Sequence, residues 1–394
     1  MSERAGGRPW RIALYDAYGS LYGAGAVLHR VVTRLDRERF DPIVLLARAG
    51  ALQDAFADAG VPCEVMPPGG PLSVYGGRLL AAGPIRKLRA AMQLRRYSRR
   101  IERWLREREV DLLHCNQARS LLLAGSGARR ARVPVVWNVL LRQRLPTWLA
   151  LLADRAAARI VVNAPDNLDL LPRAGALRAK ATHVPNCADT ERFSPTVSGE
   201  GVRAELGLAP GDPLIVSAGA LIERKGHELL VRAAPEIMAR FPSARILIVG
   251  GPPADGDETF GQRLRELAHR QRMGERIIIP GGRDDMPDLL AACDVFVLAS
   301  RQEGSPTVVL EAMATGRPVV VTPPAAVVVT DDTGVVVPLD DPAALAGAII
   351  GILADPDRAR RMGDAARRHV VEHYGVDVMV RGYERVYEEL LGGR

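Results

Sequence analysis

The sequence predicts an α/β protein built twice over, with two domains that each carry a parallel sheet covered by helices on both faces. Three observations predict it. The 394 residues exceed what one ordinary core organises. Short β-rich apolar runs alternate with longer helical patterns from end to end, the signature of parallel sheets. Near Asn186–Glu200 the chain loses all periodicity and mixes Pro, Gly and charge, which marks a boundary. With 47% apolar and 25% charged residues the composition is globular, neither disordered nor fibrous.

In the first half, strands are expected at Arg11–Tyr15, Pro42–Ala47, Asp111–His114, Pro134–Trp137 and Arg159–Val162. Helical periodicity intervenes around Gly25–Leu35, Gly50–Ala59 and Arg86–Arg108. In the second half, strands are expected at Leu214–Ala218, Arg245–Val249, Arg276–Ile279, Val295–Leu298 and Pro318–Val321, again with helices between. The tail Val376–Leu391 is helix-prone. No short repeat and no low-complexity segment interrupts this order. Ligands of open parallel sheets bind at the carboxyl ends of strands. Functional residues are therefore expected just after strands, with the two sheets facing each other across a cleft.

Four cysteines, Cys63, Cys115, Cys187 and Cys293, lie far apart without metal-ligand spacing, so neither a zinc site nor a disulfide framework is expected. The N-terminal apolar stretch is too short for a signal-peptide core, and no run reaches the roughly 20 apolar residues that span a bilayer. The expected location is cytoplasmic, with peripheral contact to the inner face of the cell membrane as a further expectation. Net charge is +7, and ten basic residues crowd between Arg86 and Arg108. Leu94, Tyr97, Ile101, Trp104 and Leu105 keep helical spacing through them, which makes a basic amphipathic helix. Its bland reading is a solvated face on a core-packed helix, and the charge alone favours that. Its functional reading is a dock for anionic lipid or a phosphorylated acceptor. Nucleic acid fits less well, because no series of aromatic residues accompanies the charge.

Three segments after strands carry candidate chemistry. Tyr18-Gly19-Ser20-Leu21-Tyr22-Gly23-Ala24-Gly25 is a glycine-rich turn leading into a helix, where backbone N–H groups approach an anion. An unliganded tight turn is an equal reading. Gly219–His227 places Arg224 and Lys225 where a helix begins, a poor position for cations unless an anion lies between them. Ala299–Ala314 is the strongest. Ser305 as N-cap and Pro306 as first helical residue start a helix whose free N–H groups suit a diphosphate. Thr307 and Glu311 share one helical face, and Glu303 stands in the loop before it, placed to accept from sugar hydroxyls.

The last segment resembles the Glu-x7-Glu signature of retaining glycosyltransferases, in particular glycosyltransferase family four, and the resemblance covers nearly the whole chain. His183–Pro195 is similar to the family's interdomain "PNGVDxxxFxP" stretch, and Arg224-Lys225-Gly226 to its "KG" phosphate motif. Glu303–Pro318 is similar to its "EGxPxxxxEAMAxGxP" block, and Thr333-Gly334 with Val337-Pro338 to its "TGxLVP" strand. The resemblance implies the GT-B fold, two Rossmann-like domains with parallel sheets facing an interdomain cleft. It implies an N-terminal acceptor-side domain over 1–190 and a C-terminal nucleotide-sugar-binding domain over 191–375. A helix over 376–394 would cross back to the first domain.

It also implies roles. Lys225, with Arg224, would neutralise the leaving diphosphate, a large electrostatic contribution to catalysis. Glu303 would hold the donor sugar and Glu311 the ribose. Gly304, Ser305, Pro306 and Thr307 would meet the phosphates and sugar, with Gly219 and Gly251 lining the nucleotide pocket and Gly23 approaching the diphosphate. The substrates implied are a UDP- or GDP-sugar and a glycan or lipid-linked acceptor, a cell-envelope or exopolysaccharide intermediate, with no cofactor, no metal, and cationic side chains in the metal's place. Four positions depart from the family pattern. Ala220 stands where many relatives have Arg, and Ala24 replaces a Gly. Asn138 stands where relatives often carry a sugar-contacting His, a role His114 on a neighbouring strand could fill, although a core-edge histidine is the plainer reading. Thr322–Asp332 lacks the "GGxPE" loop. Two other readings fit the scaffold. A nucleotide-sugar 2-epimerase is opposed by the Glu303–Ala314 block, and a non-catalytic binding protein is favoured only by the altered loop and Ala220. An NAD-dependent oxidoreductase lacks its GxGxxG.

Overall fold

The computed structural model describes residues 7–21, 23–73, 83–139, 147–164, 174–252 and 257–392. They divide into two units, Met1–Pro185 with Met379–Arg394, and Asn186–Val378.

Unit 1 runs β1 (Trp10–Asp16), α1 (Ala24–Arg34), β2 (Phe40–Leu46), α2 (Ala51–Asp58), β3 (Cys63–Val65), α3 (Pro84–Glu107), β4 (Leu112–Asn116), α4 (Gln117–Ala131), β5 (Val135–Val139), α5 (Thr147–Ala156), β6 (Arg159–Val162), α6 (Ala174–Arg178) and β7 (Ala181–His183). Its sheet has the order β3-β2-β1-β4-β5-β6-β7 with every pair parallel. The central strands β4 and β5 are buried along their whole length, as strands covered on both faces must be. Three of the four cysteines are buried in the two units, and none of the four forms a disulfide.

Unit 2 runs α7 (Glu200–Glu205), β8 (Leu214–Ala218), α8 (His227–Arg240), β9 (Arg245–Val249), α9 (Thr259–Arg270), β10 (Ile277–Gly281), α10 (Met286–Ala292), β11 (Val295–Leu298), α11 (Thr307–Ala314), β12 (Val319–Val321), β13 (Gly334–Val336), α12 (Pro342–Leu353) and α13 (Pro356–Tyr374). The sheet order is β10-β9-β8-β11-β12-β13, again all parallel. A final helix, α14 (Val376–Leu391), starts in unit 2 and from Met379 onward belongs to unit 1. There Tyr383, Tyr387 and Leu391 are buried.

The ten expected strands are all present, within about two residues of the expected bounds. Sequence reading missed β3 and β7, and reached β13 only through the family resemblance. Each of the three has three residues and lies at a sheet edge, where one side faces solvent and no continuous apolar run is required. Segment Thr190–Phe193 is fastened to unit 2 by one guanidinium. Arg367 donates to the carbonyls of Thr190 (3.0 Å), Phe193 (2.9 Å) and Ala314 (2.8 Å), so three backbone acceptors share one side chain.

Candidate active site

In unit 2 the candidate residues gather after β8 and β11, neighbours at the middle of the sheet. Strand β8 ends at Ala218, and the chain then passes Gly219 into a 3-10 turn, Glu223–Lys225. The expectation that Arg224 and Lys225 open a helix is corrected: α8 starts at His227, with Gly226 before it in the left-handed conformation (φ 66°). A Cβ on Gly226 would lie 1.9 Å from the carbonyl oxygen of Ala299. Only glycine allows this turn to press against the end of β11, and that approach carries Lys225 to the loop holding Glu303. The stem of Lys225 lies along Gly219, whose notional Cβ would be 3.4 Å from Lys225 Cδ.

Lys225 Nζ donates to Glu303 Oε1 at 2.6 Å, and Ser300 Oγ donates to the same oxygen at 2.6 Å. Ser300 is held in turn, its carbonyl accepting from Thr322 Oγ1 at 2.6 Å. Glu303 is only 7% exposed. A carboxylate so enclosed must be paired, and charge-assisted bonds from Lys225 and Ser300 supply that pairing. Beneath the turn, His227 is buried and shares a 3.1 Å hydrogen bond with Ser217 Oγ through Nδ1. Burial pushes its pKa down to about 4, so the imidazole is neutral near pH 7.

Arg224 is exposed, with a long 3.4 Å bond to the carbonyl of Gln302. The residue that sequence reasoning missed is its neighbour in space, Arg301. Its N–H donates to the carbonyl of Arg224 at 2.8 Å. Its guanidinium reaches the carbonyl of Glu223 (3.0 Å), Asp340 Oδ1 (2.9 Å) and the carboxylate of Glu228. Arg301 thus clamps the phosphate-motif turn to the Glu303 loop. Its carboxylate partners come from α8 and the loop after β13, so no local spacing advertises them.

The helix start at Ser305 is also corrected. α11 begins at Thr307 with Pro306 as N-cap, and no side chain caps it. Ser305 instead lends its carbonyl to the N–H of Thr307 at 3.0 Å. An uncapped N-terminus keeps its positive end for an anion. Gly304, Ser305, Thr307 and Glu311 are half-buried, and Pro306 is buried. Gly251, after β9, accepts from the N–H of Leu221 at 2.9 Å, and a Cβ there would meet nothing within 4 Å. The departing loop after β12 folds into a 3-10 turn, Pro323–Val328, seated on the core through Ala325 and Val328.

Unit 1 carries the remaining candidates. Gly23 precedes α1 with φ 57° and ψ −115°, a backbone that side chains disfavour, and open space lies where its Cβ would be. Tyr22 beside it lies outside the described residues. Two residues that the sequence did not single out fix this turn. Asp16 Oδ1 accepts from the N–H groups of Tyr18 (2.7 Å) and Gly19 (2.9 Å), and Oδ2 from Asn116 Nδ2 (2.8 Å). Asn116 Nδ2 also reaches the carbonyl of Ala24 at 3.2 Å. Burial raises the Asp16 pKa, opposed by these bonds. Asn138, next to the last residue of β5, lies in register with Asn116 and is buried. His114 is enclosed within unit 1. Its Nδ1 bonds Tyr387 Oη at 2.7 Å, its ring stacks on Tyr383 at 5.3 Å, and burial pushes its pKa down to about 3. That placement ties α14 to β4 and exposes almost none of the ring.

Among the described residues no helix is long and apolar enough to cross a membrane. The model of the family described as Glycosyltransferase Family 4 matches residues 22–192, and that of Glycosyl transferases group 1 matches 212–355. A GDP-mannose-dependent alpha-(1-6)-phosphatidylinositol monomannoside mannosyltransferase of Mycolicibacterium smegmatis is 31% identical over 317 residues, covering 75% of this chain and 80% of that protein. A GDP-mannose-dependent enzyme for the monoacylated acceptor from Corynebacterium glutamicum is 30% identical over 295 residues, covering 70% and 75%. The crystal structure of Anabaena HepE with UDP and glucose superposes with a TM-score of 0.79 at 20% identity, over 96% of this chain and 99% of that one. With its two parallel-sheet units in the GT-B fold, the family models matched across both of them, and a relative 31% identical over 75% of its length, the chain belongs to glycosyltransferase family four.

Proposed function

We propose that the protein moves a hexose from a GDP- or UDP-sugar to a lipid-linked or cell-envelope acceptor, with retention of anomeric configuration and without a metal. The observation that carries this reading is the Lys225–Glu303 pair, held by Ser300 beside the uncapped start of α11. In the transfer, the bond from the anomeric carbon to the diphosphate oxygen breaks and its electron pair leaves with the nucleoside diphosphate. The acceptor hydroxyl oxygen forms the new bond on the same face, and its proton passes to the departing phosphate oxygen. Lys225, Arg224 and the N-terminus of α11 oppose the charge that grows on the diphosphate. When the diphosphate takes the Lys225 ammonium, Glu303 is released to accept from sugar hydroxyls, and both bonds it now receives fall on Oε1, leaving Oε2 for that task. Glu311, four residues beyond Thr307, accepts from the ribose.

The donor class is supported by the GDP-mannose in the names of both relatives and the UDP bound to HepE. The acceptor class is supported by the phosphatidylinositol mannosides in the same names, and action at the inner face of the cell membrane is part of the same proposal. Calorimetric titration with GDP-mannose and UDP-glucose, of the native protein and of Lys225→Ala and Glu311→Ala, tests the site. One donor should bind, and both substitutions should weaken it. Binding of neither, or binding indifferent to both substitutions, would sink the assignment. The anomeric signal of the product in proton NMR tests retention, and undiminished turnover in excess EDTA tests metal independence.

A further inference from the structure

A hollow of about 430 Å3 opens in unit 2 at the amino ends of β8, β11 and β12, the end of the sheet opposite the Lys225–Glu303 pair. It lies where α13 packs on the turn that follows α11. Two glycines fix that contact, since a Cβ on Gly363 would lie 2.1 Å from the carbonyl oxygen of Gly316. The apolar part of its lining comes from Pro213 and Pro318, just before β8 and β12, and from Ile352, Leu353 and Pro356, where α12 gives way to α13. The hollow has the size of ordinary ligand pockets.

Two charges of each sign complete the lining, Arg317 and Arg360 with Asp294 and Asp364. Opposite charges around one hollow would ordinarily pair with each other, yet Arg317 and Asp364 form no ion pair among the described residues. Arg317 is anchored by Nη2, which donates to the carbonyl of Ala291, while its Nε is buried without a hydrogen-bond partner. A buried N–H of a cation is destabilising until an acceptor reaches it. Asp294 accepts from the N–H of Leu214 at 2.7 Å and from Arg203 Nη1 at 3.3 Å, both through Oδ2, which leaves Oδ1 for a donor. The chemistry of the lining selects among ligands. A simple anion would leave the aspartates unmatched, and a simple cation would leave Arg317 unmatched. A sugar phosphate would lay its hydroxyls on the prolines, Ile352 and Leu353.

We infer that this hollow binds a small zwitterion with an aliphatic body, an amino acid or short peptide. Its carboxylate meets Arg317 and Arg360, its ammonium meets Asp364 and Asp294, and its aliphatic side chain lies on Ile352, Leu353 and the prolines. The N–H of Arg317 bonds the carbonyl of Ala312 at 3.0 Å, so the ligand sits at the far end of α11 from Thr307. Occupancy should therefore be felt by the donor, a consequence that rests on the proposed function, whereas binding in the hollow does not.

Calorimetric titration of the full chain with L-leucine and with L-leucyl-L-leucine, no donor present, tests the site. Saturable binding is expected, and the tighter of the two tells a free amino acid from a peptide. Acetylating the amine or amidating the carboxylate of the ligand should each weaken binding about tenfold or more, the effect of losing one charge-assisted hydrogen bond. Arg317→Gln should do the same, and so should Asp364→Asn, which alters an exposed side chain and keeps the fold. Failure of both ligands to bind, or equal affinity for blocked and unblocked forms, would overturn the site. With the hollow saturated, donor affinity should shift about fivefold or more, and the donor should shift ligand affinity by the same factor. An unshifted donor affinity would overturn the link through α11. Ligand binding by a chain that takes up no donor would sink the proposed function and uphold the hollow.

Discussion

An ion pair as enclosed as Lys225–Glu303 is a poor source of stability, because desolvating two charges offsets most of their attraction. What such a pair does supply is a cation and a carboxylate in fixed places. Lys225→Ala is expected to lower kcat/KM by about 10²–10³, the loss typical when one group opposing developing charge is removed. It should also destabilise the protein by about 3 kcal/mol, since the buried Glu303 carboxylate loses its cationic partner. Lys225→Met combined with Glu303→Gln should regain most of that stability and none of the activity. Urea unfolding beside steady-state kinetics reads both. The two buried histidines set a pH dependence. With burial pushing the pKa down to about 4 for His227 and about 3 for His114, each stays neutral in the native state down to those values and takes up a proton near 6.5 once unfolded. The unfolded state thus binds more protons, and stability is complete above about pH 7 and falls as pH drops through 6.5 towards the native values. The slope is about 1.4 kcal/mol per pH unit for each histidine. Urea unfolding at pH 7 and pH 5 should show the drop, and His227→Asn should flatten it.

At the scale of elements, the turn before α8 depends on Gly226. Gly226→Ala places a methyl group against the Ala299 carbonyl and forces a left-handed backbone on alanine. A cost of about 2–4 kcal/mol is expected, with donor binding lost together with the position of Lys225. Calorimetry and thermal melting check the two effects, and undiminished donor affinity would detach the turn from the site. This turn was legible in the sequence because its residues are contiguous and follow an apolar run. So were the Glu303 loop and the strands of both sheet centres, where burial on two faces demands Val, Ile and Leu in succession. Arg301 and the Asp16–Asn116 bond were not legible. Their partners lie 73, 39 and 100 residues away, and only the paired strand ends bring them together. The cap of α11 was misread for a related reason. Ser305 has the right chemistry for a cap, but its carbonyl bonds to the N–H of Thr307, and the helix begins two residues beyond it.

At the scale of the molecule, unit 1 is completed by residues 379–394. Tyr387 meets Phe40 edge-on at 5.9 Å and bonds His114, while Glu384 accepts from the N–H of Asp36 at 2.9 Å. Tyr387→Ala should cost about 3–5 kcal/mol, the range for truncating a fully buried aromatic ring. Native-state hydrogen exchange should show that loss in β1, β2 and β4 and leave β8, β9 and β11 protected. Equal loss in both sets would mean that the two units unfold as one.

The same arrangement sets a timetable for synthesis. On the ribosome, residues 186–378 emerge whole before the segment that closes the first sheet's core has been translated. At about 5–20 residues per second, the nascent N-terminal half waits roughly 10–40 s for its last helix. During that interval Phe40, His114 and their neighbours lack their cover. This is the window in which a chaperone would find its client, and the C-terminal half is the first part of the molecule able to finish folding.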